Sequence, residues 1–244
     1  MKKYDSLILC EGETDQALIG SYLEATSGWK YQKKRNDFPF QEESIITYLR
    51  DNSDALGIWQ IGGDDFTKAI TSIMNGEKQD KMVDRIVVVT DHDDSEAETM
   101  RPKSILDAIS SALAIEKLCT EDYINKWSSI DYTDAFEAAN TIQFCYLLVP
   151  MDSVGALETF MMKSLSEQNA EQDKVISQAK SFVKNFSSDV YLRERREKVK
   201  AELGVSLSVF SPDRVFTTMK ELIDSVHWEK FVTANTQFER LREL

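Results

Sequence analysis

Short apolar runs alternate with amphipathic segments over the first two thirds of the chain. Four runs, residues 6–10, 56–61, 85–90 and 143–149, have the length and apolar character of strands. The third is uninterrupted from Ile86 to Val89, as expected for a strand buried on both faces of a parallel sheet. Between the strands, apolar residues recur at helical spacing; after the second strand they are Phe66, Ala69, Ile70, Ile73 and Met74.

Helix signals follow each predicted strand. Thr14 is suited to cap the first helix, Pro102 suits the first turn of a helix that runs to about Leu118, and another helix begins at about Gly155. The segment from residue 29 to residue 50 is less clear, and an extra strand and a helix are expected there. After about residue 166 the pattern is helical, without a convincing strand.

This alternation predicts an α/β fold built from right-handed βαβ units. We expect a core over residues 1–165 that holds a mostly parallel sheet of four or slightly more strands, with helices on both faces. Residues 166–244 are expected to form a helical extension that packs on this core, because no Pro-, Gly- or Ser-rich linker separates the two parts.

Composition narrows the classes of function. The chain has 244 residues, 42% of them apolar, and 42 Asp and Glu against 29 Lys and Arg give a net charge of −13. Such a charge argues against coating nucleic acid through a general basic field. No apolar stretch approaches the roughly 18 residues that span a bilayer, and the apolar run from Leu7 ends at Glu11, too early for a signal peptide. Three cysteines without metal-ligand spacing suggest free thiols, buried at Cys10 and Cys145, and a cytoplasmic location.

Acidic residues follow two of the predicted strands. Glu11 ends the first strand and Asp15 lies in the first turn of the next helix, while Asp91 and Asp93 follow the buried third strand. Ligands bind at the carboxyl ends of strands in open parallel sheets, and clustered carboxylates repel one another unless a cation lies between them. Each acidic segment alone is better explained by helix capping, but their combination favours a site for Mg²⁺ or Mn²⁺. Gly12 would leave room for another group to approach the backbone beside Glu11.

The two segments together resemble a known family. Residues 7–15, LILCEGETD, followed by residues 87–94, VVVTDHDD, resemble the two motifs of the Toprim domain. That domain occurs in type IA topoisomerases, bacterial primases, ribosomal-RNA-maturing ribonucleases and the overcoming-lysogenization-defect nucleases. The resemblance covers about residues 4–150 and is greatest to small stand-alone Toprim proteins, because neither an ATPase nor a zinc module is present.

The resemblance implies roles for five residues. Glu11 matches the family glutamate, a metal ligand or general acid/base, and Asp91 and Asp93 match the Asp-x-Asp metal ligands. Asp15 matches the second acidic position of the first motif, which helps to hold metal in the nuclease-like branch. Glu158 is either an additional ligand or a solvated glutamate favoured by the helix dipole, and both interpretations stay open.

Two functions are consistent with this pattern. The leading one is Mg²⁺-dependent phosphodiester hydrolysis, or a related phosphoryl transfer, on DNA or RNA with Glu11, Asp91 and Asp93 as catalytic residues. The alternative is a non-catalytic Toprim-fold module for metal binding or protein interaction. Its helical extension, with the aromatic residues Trp228, Phe231 and Phe238, would suit a protein partner.

Basic residues give weaker signals. Lys103 is the nearest lysine that could stabilise a phosphate, although a surface charge in a first helical turn is the favoured interpretation. Residues 30–35 hold four basic residues, with Trp29 and Tyr31 available for stacking on bases. Residues 193–200 are also basic, but interleaved glutamates favour a solvated face of i,i+3 and i,i+4 ion pairs. His92 is interpreted as a solvated loop residue.

Overall fold

A computed structural model describes residues 5–32, 38–40, 42–50, 54–62, 66–92, 95–186, 190–214 and 219–244. This part of the chain forms an α/β fold with one seven-stranded mixed sheet and eight α-helices. The strands are β1 (Asp5–Cys10), β2 (Lys30–Gln32), β3 (Ile45–Leu49), β4 (Ala55–Gln60), β5 (Arg85–Asp91), β6 (Ser128–Thr133) and β7 (Ala139–Val149). The helices are α1 (Glu13–Ser27), α2 (Phe66–Gln79), α3 (Ser95–Leu113), α4 (Leu157–Ser166), α5 (Ala170–Asn185), α6 (Arg195–Phe210), α7 (Met219–Asp224) and α8 (Val232–Gln237).

The sheet has a parallel centre and antiparallel edges. Its strand order is β2-β3-β4-β1-β5-β7-β6, and the four central strands β4, β1, β5 and β7 run parallel. At one edge β3 pairs antiparallel with β4 and β2, and at the other β6 pairs antiparallel with β7. The α/β class predicted from the sequence is confirmed, and the sheet is larger and more mixed than the predicted one.

Helices cover both faces of the sheet because the side chains of its central strands alternate between them. In β1, Leu7 and Leu9 pack in the apolar layer under α2 and α3, whereas Ile8 and Cys10 pack in the opposite layer under α1 and α4. All four side chains are fully buried. A strand covered on both faces has an unbroken run of apolar residues. The sequence pattern therefore identifies β1 as a strand.

The edge strands were harder to predict. Residues 30–49 contribute β2 and β3 rather than one strand and a helix, and within their described part no helix is present. Strand β6 is not predicted from the sequence; only Ile130 and Tyr132 are buried in it, and Ser129, Asp131 and Thr133 face solvent. Two inward-facing residues give too short an alternation to distinguish an edge strand from a loop.

Helix α3 departs from the prediction at both ends. It begins at Ser95 and ends at Leu113, so that Pro102 lies in its interior and not in its first turn. An interior proline removes one helical hydrogen bond and costs about 3 kcal/mol in an isolated helix. The burial of Ile105, Leu106 and Ile109 against the sheet offsets that cost.

The C-terminal residues pack on the face of the sheet that carries α1 and α4. Phe238 is fully buried, with its ring centroid 5.1 Å from that of Tyr22 and 5.0 Å from that of Phe160. Trp228 and Phe231 are buried in the same apolar layer. These three aromatic residues are therefore not accessible to a protein partner, and a partner for the helical extension stays a prediction. The division of the chain after residue 165 stays a prediction.

The structure bears on the predictions for the cysteines and for membrane-spanning segments. Cys10 and Cys145 are buried free thiols, as predicted, and Cys119 is an exposed free thiol. Among the helices in the described ranges, none combines the length and the apolar character that a bilayer crossing requires.

A buried carboxylate ties the end of α2 to the sheet. Glu77 is fully buried, and its carboxylate accepts hydrogen bonds from the N–H groups of Met82 and Val83, the latter at 2.8 Å, and from the hydroxyl of Tyr132 at 3.2 Å. Burial raises the pKa of Glu77 to about 7, although these donors oppose the shift. The side chain thus joins α2, the segment before β5 and the edge strand β6.

We expect Glu77→Ala to lower the free energy of unfolding by about 3–5 kcal/mol, because two N–H groups and one hydroxyl lose their acceptor inside the protein. Tyr132→Phe, which removes only one of these bonds, should cost about 1 kcal/mol. Urea unfolding of both variants measures the difference. Equal effects of the two substitutions would contradict this role for Glu77.

Candidate functional site

The first two carboxylates of the site lie where two adjacent parallel strands end. Strand β1 pairs with β5 through Leu9 and Val88, so that Glu11, directly after β1, and Asp91, the last residue of β5, emerge at one edge of the sheet. The N–H of Asp91 donates to Oε1 of Glu11 over 3.4 Å. The structure therefore brings these two sequence-predicted residues together.

Asp15 lies beside them in the first turn of α1. Its Oδ2 accepts a hydrogen bond of 2.6 Å from the N–H of Gly12, so that the group that approaches the Gly12 backbone is this carboxylate. Burial, together with the negative charges of Glu11 and Glu158, raises the pKa of Asp15 to about 7 against the effect of the Gly12 N–H. Helix capping alone does not account for a carboxylate that shares its surroundings with two others.

The pKa of Asp91 is raised further than that of Asp15. Its Oδ1 accepts a hydrogen bond of 2.9 Å from the N–H of Leu157, the first residue of α4. Burial, followed by the charges of Asp15 and Glu11, raises the pKa of Asp91 to about 9 against the effect of that N–H. The N-termini of α1 and α4 thus both contribute N–H donors to this edge of the sheet.

Glu158, the second residue of α4, faces the same carboxylates. Only 8% of the residue is exposed, and its charge raises the pKa of both Asp15 and Asp91. The interpretation of Glu158 as a solvated helix-start residue is therefore wrong, since the start of α4 is packed against the sheet edge. We name Glu11, Asp15, Asp91 and Glu158 the carboxylate cluster.

His92 fixes the segment that leads to α4. Its N–H donates to the carbonyl of Val149 at 3.0 Å, its carbonyl accepts from the N–H of Gly155 at 2.7 Å, and its ring Nδ1 lies 2.9 Å from the carbonyl of Pro150. Because a carbonyl oxygen can only accept, Nδ1 carries the proton in this contact. His92 is buried, which corrects the expectation of a solvated loop residue: its backbone and ring both bond to the chain around α4.

Two basic residues that the sequence analysis did not select contact the cluster. Nη1 of Arg101, on α3, lies 2.9 Å from Oε1 of Glu11, and Nζ of Lys200, on α6, lies 3.7 Å from Oε1 of Glu158. Arg101 is in the helix that follows the second acidic motif, so its position was a usable signal. Lys200 belongs to the basic run 193–200, but its sequence neighbours do not indicate that a distant helix brings it to the cluster.

The other basic and aromatic candidates lie elsewhere. Lys103 is exposed on α3 and pairs with Asp107 over 2.6 Å, in agreement with a surface charge, although it is not in a first helical turn. Trp29 is buried, and the guanidinium carbon of Arg50 lies over its ring, 4.5 Å from the ring centroid. Trp29 is therefore not available for stacking on bases. Tyr31 is exposed, and residues 33–35 of the same basic segment, like Asp93, lie outside the described residues.

Comparison with known proteins identifies the family. The model of the family described as "Protein of unknown function (DUF3226)" matches residues 5–240. The chain belongs to this family. Its structure is similar to the crystal structure of the hypothetical protein PH0156 from Pyrococcus horikoshii OT3, with a TM-score of 0.52 and 17% sequence identity over 98% of this chain and 91% of that chain. At this identity the likeness concerns the fold alone. No curated protein matches the sequence.

The donor atoms of this DUF3226 protein suit a hard divalent cation. Carboxylate oxygens are the ligands that Mg²⁺ and Mn²⁺ prefer. Within the described ranges, no group of three or more His, Cys, Asp or Glu side chains is already arranged to hold an ion. Glu11 is engaged by Arg101, and Asp15 and Asp91 each accept a backbone N–H. Metal binding would therefore require Glu11 at least to exchange its present partner.

The cluster predicts how stability depends on pH. The folded-state pKa values of Asp15 and Asp91, about 7 and about 9, lie above the ordinary value of 3.8, so the folded protein retains protons that the unfolded chain releases. Without divalent cations, the free energy of unfolding should fall as pH rises from about 4 to about 9. Each such group contributes at most about 1.4 kcal/mol per pH unit.

Asp91→Asn should flatten this dependence, because an amide does not titrate and still accepts the Leu157 N–H. The measurement is chemical unfolding between pH 5 and pH 9 in the presence of a chelator. Asp107→Asn is the matched control, since Asp107 is an exposed aspartate whose pKa the adjacent Lys103 lowers. A curve for Asp91→Asn that runs parallel to that of the unaltered protein would contradict the prediction.

Proposed function

We propose that this protein is a Mg²⁺- or Mn²⁺-dependent phosphodiesterase that acts on nucleic acid, with a Toprim-like catalytic core. The observation that carries the proposal is the convergence of Glu11, Asp15, Asp91 and Glu158 at one edge of the sheet. The charges of Glu11 and Glu158 raise the pKa of the buried carboxyls of Asp15 and Asp91, an arrangement unfavourable for stability, and such perturbed groups concentrate at functional sites.

The order of the elements supports the Toprim-like part of the proposal. An apolar strand ends at Glu11, a helix follows with Asp15, and an adjacent parallel strand ends at Asp91. This is the arrangement that the resemblance of the two sequence segments implies. Had Glu11 and Asp91 emerged at opposite edges of the sheet, the resemblance would have lost its physical basis.

The residues at this site can make different contributions to phosphodiester hydrolysis. A divalent cation held by Glu11, Asp15, Asp91 and Glu158 would supply Lewis-acid stabilisation of the phosphate and lower the pKa of a bound water. Arg101 lies at hydrogen-bonding distance from Glu11 and can place positive charge beside a phosphate oxygen. The N–H groups at the starts of α1 and α4 orient Asp15 and Asp91, which holds their carboxylates in place.

Metal binding and cleavage test this proposal together. Mg²⁺ at 100 times its Kd should stabilise the protein by about 2.7 kcal/mol, which corresponds to a rise in Tm of roughly 5–10 °C. We expect labelled single-stranded and duplex DNA and RNA to show at least one cleaved substrate in the presence of Mg²⁺ or Mn²⁺. Asp91→Asn and Glu11→Gln should remove the metal-dependent rise in Tm and lower the cleavage rate about 100-fold or more.

Asp107→Asn is again the matched control, because it makes the same chemical change on the exposed side of α3. It should leave the Mg²⁺-dependent rise in Tm and the cleavage rate unchanged. If Asp91→Asn and Glu11→Gln behave like this control, the carboxylate cluster is not the site of metal binding or catalysis, and the proposal is wrong.

The second candidate is the non-catalytic module for metal binding or protein interaction. One observation favours it: the rings of Phe182 on α5 and Phe186 directly after α5 stack with their centroids 6.0 Å apart, and the two residues are 59% and 50% exposed. Metal-dependent stabilisation without cleavage of any nucleic acid would support this candidate over the enzyme. In either case a cytoplasmic location is part of the proposal, since the free thiols of Cys10, Cys119 and Cys145 suit a reducing compartment.

A further inference from the structure

The start of α6 is the part of the described chain where basic residues are concentrated next to the carboxylate cluster. Residues 193–200 hold five basic and two acidic residues, in a chain whose net charge is −13. The sequence alone predicts that this run forms a solvated face of internal ion pairs. In the structure, the carboxylate of Glu197 accepts hydrogen bonds of 2.7 and 2.9 Å from the N–H groups of Arg193 and Glu194, and so caps the helix.

The expected charge pairs are present in part, since the charges of Arg193 and Arg196 help to lower the pKa of Glu197. Over the described residues, neither Glu194 nor Glu197 makes an ion pair with Lys198 or Lys200, because Glu197 is turned back to the helix start. Lys198 and Lys200 are therefore not paired with the glutamates interleaved with them, whereas Arg193 and Arg196 act on the charge of Glu197. The ion pair that the structure does show for Lys200 is with Glu158 of the carboxylate cluster.

Arg196 and Lys200 lie on the same side of α6. They are four positions apart in the sequence, so they are about one helical turn and about 6 Å apart along the helix axis. Lys200 is at the cluster, with its Nζ 3.7 Å from Glu158 and 59% of its side chain exposed, and Arg196 is exposed one turn further out. Lys198 is two residues from each of them. At about 100° per residue, it projects from nearly the opposite side of the helix.

Helix stability does not explain this placement. Positive charges in the first turns of a helix interact unfavourably with its dipole, typically by 0.3–1 kcal/mol each, and repel one another. Leu203 and Leu207 bury the opposite, C-terminal part of the helix in the core, so packing holds α6 in place despite this cost. A locally unfavourable arrangement that the rest of the fold maintains is typical of a functional surface.

We propose that Arg196 and Lys200 form an anion-binding strip, the α6 strip, which holds the phosphate backbone of a nucleic-acid strand beside the carboxylate cluster. The proposal rests on the proposed function for the identity of its ligand. Lys200 contacts one phosphate next to Glu158, and Arg196 contacts a second phosphate one helical turn outward. With Arg101 at Glu11, positive charge then flanks the cluster on two sides, which lets a polyanion approach an acidic protein locally.

Variants of the 244-residue chain in which basic side chains of α6 are replaced by neutral glutamine test the strip. Binding of fluorescent single-stranded DNA and RNA oligonucleotides is measured by anisotropy at several salt concentrations, with Ca²⁺ in place of Mg²⁺ to slow cleavage. The double variant Arg196→Gln/Lys200→Gln should bind roughly tenfold more weakly, and the slope of log K against log salt should fall by about 1.4. Lys198→Gln is the matched control on the other side of α6, and its affinity should change less than twofold.

The outcomes separate this proposal from the proposed function. Equal affinities of the double variant and Lys198→Gln, or no oligonucleotide binding by the unaltered protein, would overturn the strip even if cleavage is observed. Weaker binding by the double variant supports the strip even if the unaltered protein cleaves nothing, in which case the enzymatic proposal fails alone. The Mg²⁺-dependent rise in Tm must persist in the double variant; if it is lost, the weaker binding reflects damage to the cluster, and the strip is rejected.

Discussion

The central constraint in this fold is the burial of β1 and β5 on both faces of the sheet. Their interior residues contact helices from both sides, so charged side chains fit only where each strand ends. Because the two strands are parallel neighbours, their ends lie at the same edge, and Glu11 and Asp91 emerge together. The carboxylate cluster is thus a consequence of the strand order and not of either acidic segment alone.

The surrounding elements compensate the charge that this arrangement gathers. The starts of α1 and α4 direct N–H groups at Asp15 and Asp91, and α3 and α6 bring a cation each to Glu11 and Glu158. Even so, burial and mutual repulsion hold the pKa values of the two aspartates well above their ordinary range. The folded protein therefore favours anything that neutralises the cluster, whether protons, a basic side chain or a bound cation.

The C-terminal helices have a double role in this structure. Their aromatic residues pack on α1 and α4, which hold two members of the cluster, so the same contacts that bury Phe238 also support the site. Helix α6 then extends from that packed layer to the sheet edge, where Lys200 meets Glu158. A region that the sequence suggested as an addition to the core is in fact joined to the site by its packing and its charge.

The sequence by itself determined the central parallel strands and three members of the cluster, because strands buried on both faces leave long apolar runs and the acidic residues stand directly after them. Edge strand β6, with its two buried residues, left too weak a pattern. The burial of Glu158 and the approach of Arg101 and Lys200 were decided only by tertiary structure. These contacts join residues far apart in the chain, and no local periodicity records which distant helix packs against a given sheet edge.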